Sequence, residues 1–152
     1  MQIIGFSTST VSAERKPKIS GKLDIKSNLE ITDISEDKSN ISPKPTLKFD
    51  FLYTVNYVPD AAKIKLAGSI LVLDEADESK DILREWKKQK FSHAIKIPLF
   101  NFILNKCNIK SLQLEEELGL PPHLPFPQVS AEDKSQTNKK AEVTSRPANY
   151  TG

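Results

Sequence analysis

An α+β fold, an antiparallel sheet covered by helices, is predicted by three observations on this 152-residue sequence. Leu47, Phe49, Phe51, Tyr53, Val55 and Tyr57 fall on alternate positions, the two-residue period of a half-buried strand. A second alternating run, Ile64, Leu66, Gly68, Ile70 and Val72, follows the turn Pro59-Asp60-Ala61-Ala62, so the two strands should pair antiparallel. Beyond it the apolar spacing changes to that of helices, with acids leading and bases trailing, the order a helix dipole favours.

Element by element, Leu23, Ile25, Leu29 and Ile31 alternate and mark a first strand over 22–31. Ile34 is out of phase with them, which places a bulge or strand end near Thr32 and Asp33. Residues 35–45 read as a polar loop. The aromatic strand and its partner follow. Ile70-Leu71-Val72-Leu73 is apolar on both parities, so both sheet faces should be covered there, with helices over the second face. A helix is expected over 80–90, with Ile82, Leu83 and Trp86 on one side. A second is expected over 95–108, with Pro98 in its first turn. Its apolar set, Ile95, Leu99, Phe100, Phe102, Ile103, Leu104 and Cys107, covers more than one stripe, so it should be more buried than a surface helix. A third short helix begins after Ser111, read as an N-cap, and stops at Gly119. Four prolines between Pro121 and Pro127 hold the next segment extended. The domain plan is an N-terminal extension over 1–12, one domain over 13–129 that includes the Pro-rich 120–129, and a tail over 130–152 with little to bury.

Composition narrows the function classes. A net charge of +2 argues against a protein whose main work is neutralising phosphates. The single Cys107 cannot make an internal disulfide, and no apolar run reaches the roughly 18–20 residues that span a bilayer. A cytoplasmic protein with no membrane partner is expected. Ile70 to Asp77 ends in Asp-Glu-Ala-Asp, the motif of DEAD-box helicases. None of the five glycines makes the phosphate-cradling loop that motif requires, so the acids read as a helix approach. His93, His123 and Cys107 lack metal-ligand spacing, and Glu115-Glu116-Glu117 fan around a helix as a solvated face. The expectation is no enzyme, no cofactor and no metal.

Two features suit binding. The aromatic strand offers Phe49, Phe51, Tyr53 and Tyr57 as a contact surface, joined by Phe126 from the Pro-rich segment, with Lys and Arg at its rim. Basic residues form the alternative: Arg15, Lys16, Lys18 and Lys22, the helical Lys80, Arg84, Lys87 and Lys88, and Lys139, Lys140 and Arg146 in the tail. Those would serve a structural protein of the archaeal ribosome, with rRNA and ribosomal proteins as partners.

Phe51-x-Tyr53-x-Val55-x-Tyr57, Leu66-x-Gly68-x-Ile70-x-Val72, Trp86-Lys87-Lys88, the helix around Asn105-Lys106-Cys107, and the run from Leu118 to Pro127 together resemble the archaeal relatives of the SecB chaperone. The resemblance covers 12–129. It implies a Greek-key sheet packed on a long helix, assembly of protomers through sheet edges and helices, and aromatic-lined grooves that receive unfolded polypeptide. A holdase-like protein that binds extended polypeptide or protein subunits, as a homo-oligomer, is the leading expectation. SecB itself is markedly acidic and serves an export motor, whereas this chain is nearly neutral, so an export role is not expected.

Overall fold

A computed structural model describes residues 1–39 and 41–130. Four strands and two helices follow one another: β1 (Gln2–Arg15), β2 (Asp24–Glu36), β3 (Thr46–Val58), β4 (Ala62–Leu73), α1 (Ala76–Lys87) and α2 (His93–Glu117). The strands form one sheet in the order β1-β4-β3-β2, antiparallel throughout. Three hairpin-linked strands, with β1 lying beside the last of them, make a Greek key.

Strict alternation decides what β3 buries. Leu47, Phe49, Phe51, Tyr53, Val55 and Tyr57 are all at most 2% exposed, and the intervening residues are half-buried. Ile64, Leu66, Ile70 and Val72 of β4 lie beside them in register. Leu99, Ile103, Cys107 and Leu114 of α2 close the same core from above. Both helices therefore cover the aromatic face. The second face was expected to carry the helices, because 70–73 is apolar on both parities. There Leu71 and Leu73 are only half-buried, packed among neighbours within the sheet such as Gly5, Gln2 and Lys48.

Of residues 1–12, expected as an extension, all but Met1 lie within the 14-residue edge strand β1. Register shifts at Ile3/Gly5 and Thr8/Thr10 put Ile3, Phe6, Thr8, Val11 and Ala13 opposite the core row of β4. Each shift resets the phase, so no two-residue period survives in the sequence. The bulge expected near Thr32–Asp33 is present as a register shift between Ile31 and Asp33. Gly68 permits the close approach of β1: a Cβ there would lie 2.0 Å from the Ser7 carbonyl oxygen.

α1 begins a turn earlier than expected, with Asp77 and Glu78 in its first turn, and ends before Lys88. α2 is one 25-residue helix where two were expected. Ser111 is no cap. It sits fully buried in a stripe, Leu99, Ile103, Cys107, Ser111 and Leu114, that runs unbroken at spacings of three or four. Because α2 starts at His93, Pro98 falls in its second turn. The expected apolar set, Ile95 to Cys107, is buried or half-buried, while Ile97 and Ile109, outside that set, stay 58% and 61% exposed.

Candidate functional site

The C-terminus of α2 sets the site. Gly119 adopts φ +61°, its N–H bonds the Glu116 carbonyl (3.1 Å), and the Leu120 N–H reaches the Glu115 carbonyl (2.8 Å). This pair of bonds is a Schellman ending. Arg15 at the end of β1 adds a cationic cap, its Nη1 donating to the carbonyls of Leu118 (2.5 Å) and Gly119 (3.0 Å). The chain then doubles back along the outside of α2 as an extended strap, residues 120–127.

Between strap and helix lies an open groove of about 500 Å³. Ile109, Leu112, Gln113 and Glu116 of α2 form one wall, Leu120, Pro122 and Phe126 the other, with Glu115 at the base. Most of this lining is apolar, and Phe126 is 59% exposed.

Beneath the groove is a buried polar network. Glu115 and His123 are each 2% exposed at the side chain, with His123 Nδ1 2.6 Å from Glu115 Oε1. The His123 backbone N–H donates to Glu115 Oε2 at 3.2 Å. Asn108 Oδ1 accepts from the Tyr53 hydroxyl (2.9 Å) and lies 3.0 Å from His123 Nε2. The Tyr57 hydroxyl donates to the Pro121 carbonyl at 2.6 Å. Burial, then the nearby Cys107 and Glu115, push the Tyr53 phenol up to about 12. Burial and the Glu115 carboxylate raise Tyr57 as well, and burial alone pushes the Cys107 thiol up to about 11. Both ring nitrogens of His123 are thus engaged, and Cys107 is a covered thiol far from its reactive form at neutral pH.

Set against the sequence expectations, the aromatic set divides. Phe49, Phe51, Tyr53 and Tyr57 are core, at most 2% exposed and clustered with Ile82, Phe91, Leu99 and Ile103, and they offer no open surface in this chain. Phe126 lines the groove. Glu115, expected on a solvated face, is 1% exposed. The basic residues form no single stripe. Arg15 caps α2, Lys16 pairs with Asp60 (2.5 Å) and Arg84 with Asp81 (3.3 Å). Lys18, Lys22, Lys80, Lys87 and Lys88 are exposed, the helical ones interleaved with Asp77, Glu78, Asp81 and Glu85. Lys139, Lys140 and Arg146, and the tail over 131–152, lie outside the described residues. Asn108, Glu115 and His123 escaped the sequence reading. Asn108, Ser111 and Glu115 are spaced i, i+3, i+7, a polar stripe that becomes visible only once α2 is continuous. No group of three or more metal-ligating side chains occurs among the described residues, and none of their helices is long and apolar enough to cross a membrane.

No protein-family model matches the chain, and no curated protein matches it in sequence. Among solved structures it is similar to the Mycobacterium tuberculosis SecB-like chaperone Rv1957, determined in complex with a ChAD peptide from the Rv1956 HigA1 antitoxin. The TM-score is 0.53 at 15% identity, over 85% of this chain and 89% of that one. That neighbour is bacterial, and the similarity supports the SecB-like fold without the archaeal affiliation expected from sequence. A four-stranded antiparallel sheet in Greek-key order, with a long helix across one face, gives this chain a SecB-like fold.

Proposed function

We propose that this chain is a non-enzymatic, holdase-like protein that binds extended polypeptide in the groove between α2 and the strap. The observation that carries the reading is the open apolar groove itself, walled by Phe126 and Ile109, both more than half exposed. Exposed apolar lining of this kind is where an extended chain gains burial. The similarity to a chaperone solved with a peptide supports a binding role at the level of fold. Assembly belongs to the same reading. β1 carries no charge from Gln2 to Ala13, whereas the other edge strand, β2, carries Asp24, Lys26, Glu30, Asp33 and Glu36. An edge without charges invites strand pairing, so β1 is the side for a second protomer.

The test is suppression of aggregation of a chemically denatured protein by the purified chain. Suppression at near-equimolar ratios is expected, weakened by Phe126→Asp and Ile109→Asp with the fold intact. No suppression at molar excess would remove the proposal.

A further inference from the structure

The strap is attached to the body in an uneven way. Leu120 is buried and Pro121 is held by the Tyr57 hydroxyl, so the root is fixed. From 121 to 129 every residue is exposed except His123. His123 inserts its ring between Asn108 and Glu115 and is met by Tyr53 edge-on, at 6.4 Å between centroids. Pro121, Pro122, Pro125 and Pro127 stiffen the backbone on both sides of it. Phe126, three residues beyond, therefore takes its place from the seating of one imidazole.

We propose that His123 is the pin that seats the strap and so forms the outer wall of the groove, with Glu115 as its socket. Glu115 grips both ends of the residue, the ring through Oε1 and the backbone N–H through Oε2. A buried carboxylate that loses both donors is left uncompensated, so the seated state is discrete and half-seated geometries are disfavoured. An apolar residue at 123 could fill the volume but would strand the Glu115 carboxylate and leave Asn108 Oδ1 with the Tyr53 hydroxyl alone. The strap thus acts as a gate with two positions: seated, with the groove formed, and unseated, with Phe126 released and the wall lost. The gating of polypeptide rests on the function proposed above; the pin itself does not.

Backbone ¹⁵N relaxation on the full chain separates the two. In the wild type, Leu124 and Phe126 should show order parameters near those of rigid backbone, about 0.85, and His123→Ala should drop both below about 0.6 while α2 and β3 keep theirs. His123→Gln, whose amide can still donate to Glu115, should restore much of the order. Leu124 and Phe126 equally ordered in His123→Ala, or α2 loosening in step with the strap, would overturn the pin; should His123→Ala fail to fold, the same comparison is made on His123→Leu, which fills the volume without a donor. A synthetic ten-residue peptide rich in Leu and Phe supplies the second arm. Affinity should fall about tenfold in His123→Ala and recover in His123→Gln. Wild type that binds no peptide defeats the polypeptide reading and leaves the relaxation result to decide the pin.

Discussion

The β3 ladder and the strap are two apolar stretches that a binding surface could use, and the fold treats them oppositely. On β3 the rings are covered to within 2% and act by burial: Phe51 stacks on Phe6 at 5.5 Å, and Phe6 in turn meets Phe102 of α2 edge-on at 6.0 Å. Along the strap beyond the buried Leu120 the apolar side chains stay outside and a single polar residue goes in. Apolar richness alone therefore marks a core when it alternates along a central strand. It marks a surface when prolines remove the backbone donors that a sheet or helix would need.

This contrast can be broken at either end, and the largest expected effect is on the ladder. Phe51→Asp places a charge in the core and should cost more than about 4 kcal/mol, enough to unfold most of the protein, read as loss of the cooperative thermal transition. A folded Phe51→Asp with weakened client binding would return the ladder to the surface. Gly68→Ala drives a methyl against the Ser7 carbonyl and should cost about 1–3 kcal/mol, visible as a lowered denaturant midpoint. Arg15→Ala removes the cap from α2 and should cost about 1 kcal/mol, without touching the groove lining. Phe126→Asp should move stability by no more than about 0.5 kcal/mol while reducing aggregation suppression, the opposite profile from Phe51→Asp.

A pH titration sharpens the same comparison. Burial raises the folded-state value for Tyr53 to about 12, against an ordinary 10.0. The neutral phenol is favoured in the fold, so its contribution is fully present below pH 10 and is lost as pH rises toward 12. Absorbance at 295 nm should therefore show Tyr53 ionising late or together with unfolding. An early transition near 10 from the ladder tyrosines would mean that they are accessible.

Legibility in the sequence followed the geometry of each element. β3 and β4 were readable because one face is fully buried and the other is not, which imposes the two-residue period. Ile34, out of phase with Ile31, disclosed the β2 bulge. β1 was not readable, since two register shifts cancel its period and its Ser and Thr residues look like an extension. α2 was divided at Ser111 because serine is a common cap; what fills that position here is core. Phe126 could be singled out as an apolar residue in an extended segment, but the wall facing it could not. The Glu115–His123 contact joins a helix to a strap that reverses direction at Gly119, and residue spacing carries no record of which face the strap returns along.

Chemical-shift mapping with the Leu- and Phe-rich peptide tests the central claim most directly. The expected result is perturbation centred on Ile109, Leu112 and Phe126, with Phe49 and Val55 in the middle of the sheet unmoved. Perturbation centred on the β3 rings, or on the open sheet face around Asp50 and Leu71, would contradict it.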